Sequence, residues 1–169
     1  MCTHKNMNII LKNKFLYFQN YKLRCAIGKS GISHKKKEGD NKTPKGKFKL
    51  KYILYRSDRV RNLQTHIIKK KITKHMGWCD DPTSKKYNKL IKFPFNKNAE
   101  KLWLKNNIYD VIIITNYNSN PIIKMKGSAI FLHIAKKNYQ STRGCVAVSK
   151  KDIRLLVSKI KKNSNLIIY

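Results

Sequence analysis

Apolar residues in this chain come in short β-branched or alternating runs separated by turn residues. That pattern limits the possible folds more than any other feature. Met7–Phe18 alternates around Lys12-Asn13-Lys14 and predicts an N-terminal hairpin. Tyr21–Ile27 predicts a strand ending at Gly28, and Lys47–Tyr55 another, with Phe48, Leu50, Tyr52 and Leu54 on its apolar side. Ile108–Thr115 has the length and β-branching of a buried central strand. His66–Ile72, Ile122–Met125, Ser128–Ile134, Val146–Val148 and Leu166–Ile168 read as further strands. Two irregular stretches, Lys29–Lys45 and Lys74–Pro94, interrupt them, and loops that long in compact domains are often functional. Helix is expected in two places. One is a short segment over Ala99–Leu104. The other is Lys150–Lys161, where Ser149-Lys150-Lys151-Asp152 has the form of a capping box and Ile153, Leu156, Val157 and Ile160 follow at helical spacing. The expectation is a mostly β (α+β) fold with a few helices on its edge, residues 1–169 forming one domain.

Charge is the loudest compositional feature: 39 Lys+Arg against 8 Asp+Glu, a formal +31. This invites a nucleic-acid reading. The make-up of the charge argues otherwise. There are 33 lysines and only 6 arginines, beside 17 asparagines and 21 isoleucines. Lys, Asn and Ile share A- and T-rich codons, so base composition alone inflates them together. A nucleic-acid reader is expected to favour Arg, whose fork makes bidentate contacts. No zinc-finger or RRM signature is present, and no nucleic-acid partner is expected. The longest apolar run, Val111–Ile114, is far too short to span a bilayer. The N-terminal segment lacks the apolar stretch and small-residue cleavage site of a secretory signal. Cys2, Cys25, Cys79 and Cys145 show no C-x-x-C spacing.

Chemistry concentrates in Gly127–Asp152. His133 closes an apolar strand, and Cys145 lies twelve residues on, inside Ser141-Thr142-Arg143-Gly144-Cys145-Val146-Ala147-Val148. Small residues before Cys145 give its sulfur room and let backbone N–H groups converge, as an oxyanion site requires. A His within reach would activate the thiol. The same two residues also fit a buried small apolar Cys and a structural His.

This stretch resembles the catalytic signature of the L,D-transpeptidase (YkuD-type) family, a His followed by a variable loop and Ser/Thr-x-Gly-Cys. Here those positions are His133, Thr142, Gly144 and Cys145. The resemblance extends to a compact subgroup of that family. It runs through Cys25-Ala26-Ile27-Gly28-Lys29-Ser30-Gly31-Ile32, Lys37-Glu38-Gly39-Asp40 with Thr43-Pro44-Lys45-Gly46, Tyr55-Arg56-Ser57-Asp58-Arg59, Gly77-Trp78-Cys79-Asp80-Asp81-Pro82, Tyr87-Asn88, Tyr109-Asp110 and Gly127-Ser128-Ala129-Ile130-Phe131. It implies an L,D-transpeptidase-like β-sandwich. It also implies a reaction: cleavage between the third, L-centred residue and the terminal D-alanine of a peptidoglycan stem tetrapeptide, with acyl transfer to an amine. Cys145 would then be the nucleophile, His133 the general base held by the Ile134 carbonyl, and Gly144 part of the oxyanion turn. No metal or cofactor is needed for this chemistry.

Many family members have His where this chain has Arg143, which fits either a fork for a substrate carboxylate or a solvated loop residue. Thr142, Trp78, Asp80, Tyr87 and Asn88 stand as candidate walls of a substrate cleft. Trp78, Asp80, Asp81, Tyr87 and Asn88 equally fit a loop-stabilising network. The resemblance implies peptidoglycan stem peptides as partners and the cell envelope or periplasm as the place of action, by a monomer, although no export signal is visible. An L,D-carboxypeptidase with the same dyad and a basic nucleic-acid-binding protein are the alternatives. A basic enzyme would also associate electrostatically with an anionic envelope.

Overall fold

Strand alternation decides inside from outside along most of this chain. The computed structural model describes residues 7–34 and 37–169, so Lys35 and Lys36 of the long Lys29–Lys45 stretch lie outside the described residues. β1 (Ile9–Lys12) and β2 (Phe15–Phe18) form the expected hairpin, and β3 (Tyr21–Ala26) pairs antiparallel with β2. Two short strands, β4 (Ile32–Ser33) and β5 (Thr43–Pro44), pin the ends of the long loop to each other. The long strand β6 (Gly46–Tyr55) and the short β7 (Lys69–Lys71) pair in parallel. Further on come β11 (Val111–Thr115), β12 (Phe131–Ile134), β13 (Val146–Val148), α1 (Lys150–Lys159) and β14 (Asn165–Ile168). The large sheet runs β11-β12-β13-β3-β2-β1-β14-β6-β7, and β11 also pairs with β6, so it closes on itself. Its two halves face each other across one core, as a sandwich requires.

Inside that ring lie Ile9, Leu11, Leu16, Phe18, Leu23 and Leu166, with Val111, Ile113, Leu132 and Val146 facing them. Helix α1 adds Ile153, Leu156 and Val157 to this core. Its N-terminus is closed by the Ser149 side chain, which accepts a hydrogen bond from the Asp152 N–H at 3.0 Å.

A second core lies on the outer face of β6, β11 and β12. Leu54, Ile112, Ile114 and Phe131 pack there against Trp78, Leu102 and Tyr109. Its cover is a three-stranded sheet of β10 (Ala99–Lys101), β8 (Met76–Cys79) and β9 (Leu90–Lys92). Strand β11 is therefore buried on both faces, which is why every residue from Val111 to Thr115 is inaccessible.

Four expectations need correction. Ala99–Leu104 is not a helix: Ala99–Lys101 pairs with β8, placing Glu100 opposite Trp78, and sheet pairing overrides a weak helical tendency. Lys74–Pro94 is not wholly irregular, since it holds β8 and β9. Ile122–Met125 forms no strand, because Asn118 takes its backbone groups. The Asn118 side chain accepts from Ile123 N at 2.8 Å and donates to Ile123 O at 2.9 Å. The His66–Ile72 strand contracts to Lys69–Lys71.

Arg56 is buried and fixes the segment that leads into β11. Its guanidinium forks onto Asp58 at 2.8 and 2.7 Å and lies 3.5 Å from the centroid of the Trp103 ring. Arg59 holds Asp110 at 3.0 Å. The Tyr55–Arg59 motif thus anchors the neighbour of Tyr109.

Burial of β11 on both faces makes a specific prediction. Ile112→Ala and Ile113→Ala should each cost about 2–5 kcal/mol in urea unfolding, because each leaves a cavity in a different core. A strand buried on one face would show the loss at only one of the two.

Candidate active site

Parallel pairing of β12 with β13 brings the candidate pair together. The register sets His133 beside Ala147 and Leu132 beside Val146, so Cys145 enters β13 next to Phe131. Side chains two apart on a strand share a face, as do registered neighbours. His133 and Cys145 therefore stand diagonally on one face, the outer face that carries the second core.

His133 is buried, and its Nδ1 lies 2.9 Å from the Ile134 carbonyl oxygen. A carbonyl only accepts, so Nδ1 carries the proton and Nε2 keeps its lone pair. The Tyr109 ring meets the imidazole edge-to-face, centroids 5.2 Å apart at 88°. Burial drives the imidazole down to about 4, only partly offset by the Ile134 carbonyl, and Lys136 adds to the depression. At neutral pH the ring is a neutral base.

The Cys145 thiol is half-buried and donates to the Ala129 carbonyl at 2.9 Å, while the Phe131 N–H approaches its sulfur at 3.4 Å. Cys25 differs: it lies in the inner core, and burial pushes its thiol up to about 12, leaving it unreactive.

The turn before Cys145 is clasped from several sides. Thr142 Oγ1 accepts from the Gly144 N–H at 3.1 Å and donates to the Cys145 carbonyl at 2.6 Å. Thr142 thus folds the turn itself, and the Gly144 N–H already has an acceptor. Gly144 adopts φ +141°, and a Cβ there would sit 2.8 Å from the Lys42 carbonyl oxygen. Only glycine lets the long loop pass this close. Thr43, fully buried at the end of that loop, accepts from Gly28 N at 2.8 Å and donates to Gly144 O at 2.8 Å.

Asn88 is a buried hub. Its Oδ1 accepts from Trp78 Nε1 and Ala129 N, both at 3.0 Å, and its Nδ2 donates to the carbonyls of Tyr117 and Asn118 at 3.0 and 2.7 Å. Ala129 is held at φ +52°, a conformation unfavourable for alanine, and its carbonyl receives the thiol. Trp78 packs edge-to-face on Phe131, centroids 4.9 Å apart. Tyr87 donates to Glu38 Oε2 at 2.6 Å and accepts from Gly127 N at 2.9 Å. Trp78, Tyr87 and Asn88 thus have their polar atoms engaged within the protein, and they shape the site from behind.

Asp80 behaves differently. Its Oδ1 is buried with no hydrogen-bond partner among the described residues. Desolvation raises its pKa, nearby Glu38 and Asp81 raise it further, and Arg143 opposes them. Glu100 is crowded by protein yet open to solvent at its surface. Burial raises its pKa too, while the hydrogen bond from Tyr109 at 2.6 Å lowers it. Arg143 is exposed and has no ion pair among the described residues. It stands within electrostatic reach of Asp80, Glu100 and Tyr109.

Sequence reasoning did not single out Thr43, Ala129, Tyr109 or Glu100 as part of the site. Thr43, Ala129 and Tyr109 carried a signal in the motifs Thr43-Pro44-Lys45-Gly46, Gly127–Phe131 and Tyr109-Asp110. Glu100 carried none, because its place depends on the pairing of β10 with β8.

Residues 6–168 match the family model of the L,D-transpeptidase catalytic domain, YkuD. The chain belongs to this family, whose enzymes are cysteine-dependent acyltransferases acting on cell-wall peptidoglycan. No curated protein matches the chain.

Two outcomes are expected. Thr43→Val keeps the shape but strips partners from Gly28 N–H and Gly144 C=O; thermal melts should show a loss of about 1–3 kcal/mol. The acidic limb of the kcat/KM profile should fall near pH 4 rather than 6.5, because His133 stays neutral down to its depressed pKa and is lost as a base only below it. A limb at pH 6–7 would contradict the buried, neutral imidazole.

Proposed function

We propose that this chain is a cysteine L,D-transpeptidase of the cell envelope, joining peptidoglycan stems through an acyl-enzyme. The observation that carries this reading is the His133–Cys145 diagonal, with Nδ1 tied to the Ile134 carbonyl and Nε2 left as the base. Cys145 gives its proton to His133 Nε2 while its sulfur attacks the carbonyl carbon of the L-centred third residue. The tetrahedral oxyanion forms at the Gly144-Cys145 turn, and the Gly144 N–H, held by Thr142 Oγ1 at rest, has to leave that acceptor to serve it. The carbon–nitrogen bond to D-alanine breaks, and the leaving amine takes the proton from His133. A thioester remains. An acceptor amine then attacks it, returns a proton through His133, and releases Cys145 as a thiol. The Ile134 carbonyl does the orienting that a carboxylate does in a serine-protease triad.

Arg143 is the cation placed to receive a stem carboxylate at the mouth of the site. Thr142, Trp78, Tyr87 and Asn88 hold the substrate cleft in shape, and Asp80, whose Oδ1 is buried without a partner among the described residues, stands behind it. A monomer contains every group this scheme uses.

Purified protein should release D-alanine from tetrapeptide-stem muropeptides and form cross-linked dimers visible by mass. Cys145→Ala should abolish both, a loss of at least about a thousandfold. A mutant that retains the native rate sinks the assignment. Trimming without dimers would point to the L,D-carboxypeptidase alternative, with water as acceptor. Exposure to a carbapenem should add one covalent adduct on Cys145 and none on Cys25.

A further inference from the structure

Among the described residues, the outward side chains of β1, β2, β3, β14 and the first half of β6 are exposed or half-exposed, and their composition is unusual even for this chain. Register aligns Lys22, Tyr17, Ile10, Ile167 and Lys47 in one row across five strands. A second row runs Arg24, Phe15, Lys12. Their strand neighbours Leu11, Leu16, Leu23 and Leu166 point into the core, so these residues point out. None of the five strands carries a carboxylate. The centre is apolar and aromatic, with Tyr17 38% exposed, and the rim is cationic.

We propose that this face docks on an anionic phospholipid bilayer. A broad sheet wall fits an extended surface better than a single ligand. Lysines act as point charges that suit diffuse lipid charge, and tyrosine suits the headgroup layer. Nucleic acid fits less well, since base stacking needs open ring faces and Lys22 Nζ already sits 4.5 Å over the Phe15 ring. A second copy of the chain would bring like charges face to face. The geometry also gives the docking a use. Around the closed ring, β1 lies across from β12, so a protein seated on this face turns His133 and Cys145 away from the membrane. That orientation rests on the proposed function; the docking itself does not.

The test is co-sedimentation with phosphatidylcholine vesicles, with and without phosphatidylglycerol, at physiological salt. The protein should bind only the anionic vesicles and leave them as salt rises. The triple variant Lys12→Glu, Lys22→Glu, Arg24→Glu should lose binding by about a hundredfold or more. A control of equal charge change on the cover of the second core, Lys85→Glu, Lys89→Glu, Lys101→Glu, should stay within about threefold. If the first variant fails to fold, Lys12→Gln, Lys22→Gln, Arg24→Gln should still lose about a hundredfold. Equal losses in both sets would reduce the effect to net charge and overturn the proposal. No vesicle binding by the native protein would overturn it too. So would face-dependent binding of single-stranded oligonucleotide with vesicle binding unaffected. None of these outcomes involves D-alanine release, so a failure here leaves the catalytic reading intact.

Discussion

The candidate active site of this protein depends on two neighbouring strands running in the same direction. Antiparallel strands can meet through a tight turn, but β12 and β13 are parallel, so the chain must travel back before it can pair again. That return fills the stretch from Ala135 to Gly144, and it delivers Cys145 at the entrance of β13 rather than at its end. A slip of one residue would turn Cys145 to the inner core and leave His133 facing an empty position. The clasps on the turn resist that slip. Thr43 reaches across from the long loop, Thr142 folds the turn on itself, and Gly144 admits the loop backbone at a distance no side chain would allow. The site is thus held by threonine side chains bonded to backbone and by one glycine, contacts that tolerate little variation in residue type.

Two cores divide the labour. The inner one fills the ring and is built from alternating aliphatics, so it stabilises the scaffold. The outer one carries most of the two cores' buried aromatics, and it reaches the candidate pair: Trp78 packs on Phe131, Tyr109 on His133. Tyr109 is kept there by Arg59, which holds Asp110, and by its own bond to Glu100. Charge follows the same division. Glu38, Asp80, Asp81 and Glu100, half of the eight acidic residues, gather around the outer core. The strands on the far side of the ring have none. A charge of +31 therefore conceals a polar molecule, basic on the far side of the ring and with half its carboxylates around the outer core.

What could be read from the residues followed the physics of each segment. The hairpin, β3, β6, β11 and α1 were legible because alternation and helical spacing are local, and their burial agrees with the pattern. His133 and Cys145 were legible as a pair through their motif, and the Ile134 carbonyl stands where the resemblance implies it. The failures came from partners outside each segment. Glu100 and its neighbours form a strand only because β8 offers an edge to pair with. Ile122–Met125 looked extended because its own residues allow it, yet the Asn118 side chain, not another strand, takes the hydrogen bonds. Trp78 and Asn88 were read either as cleft walls or as a loop-stabilising network, and their contacts, which brace Ala129 from behind, are those of the network.

That bracing bears on how the thiol is activated. A preformed thiolate–imidazolium pair needs an imidazole that holds its proton at neutral pH. Burial brings His133 down to about 4, so its imidazole is neutral at that pH and carries no proton to pair with a thiolate. The thiol proton is parked on the Ala129 carbonyl, an acceptor that stabilises S–H and does nothing to stabilise S⁻. On the proposed mechanism, proton transfer to Nε2 then accompanies the attack instead of preceding it, because only the forming carbon–sulfur bond makes the proton acidic enough. The strained turn at Ala129 has a physical reason under this scheme. By aiming a carbonyl at the sulfur it fixes the direction of the S–H bond until an acyl donor displaces that contact.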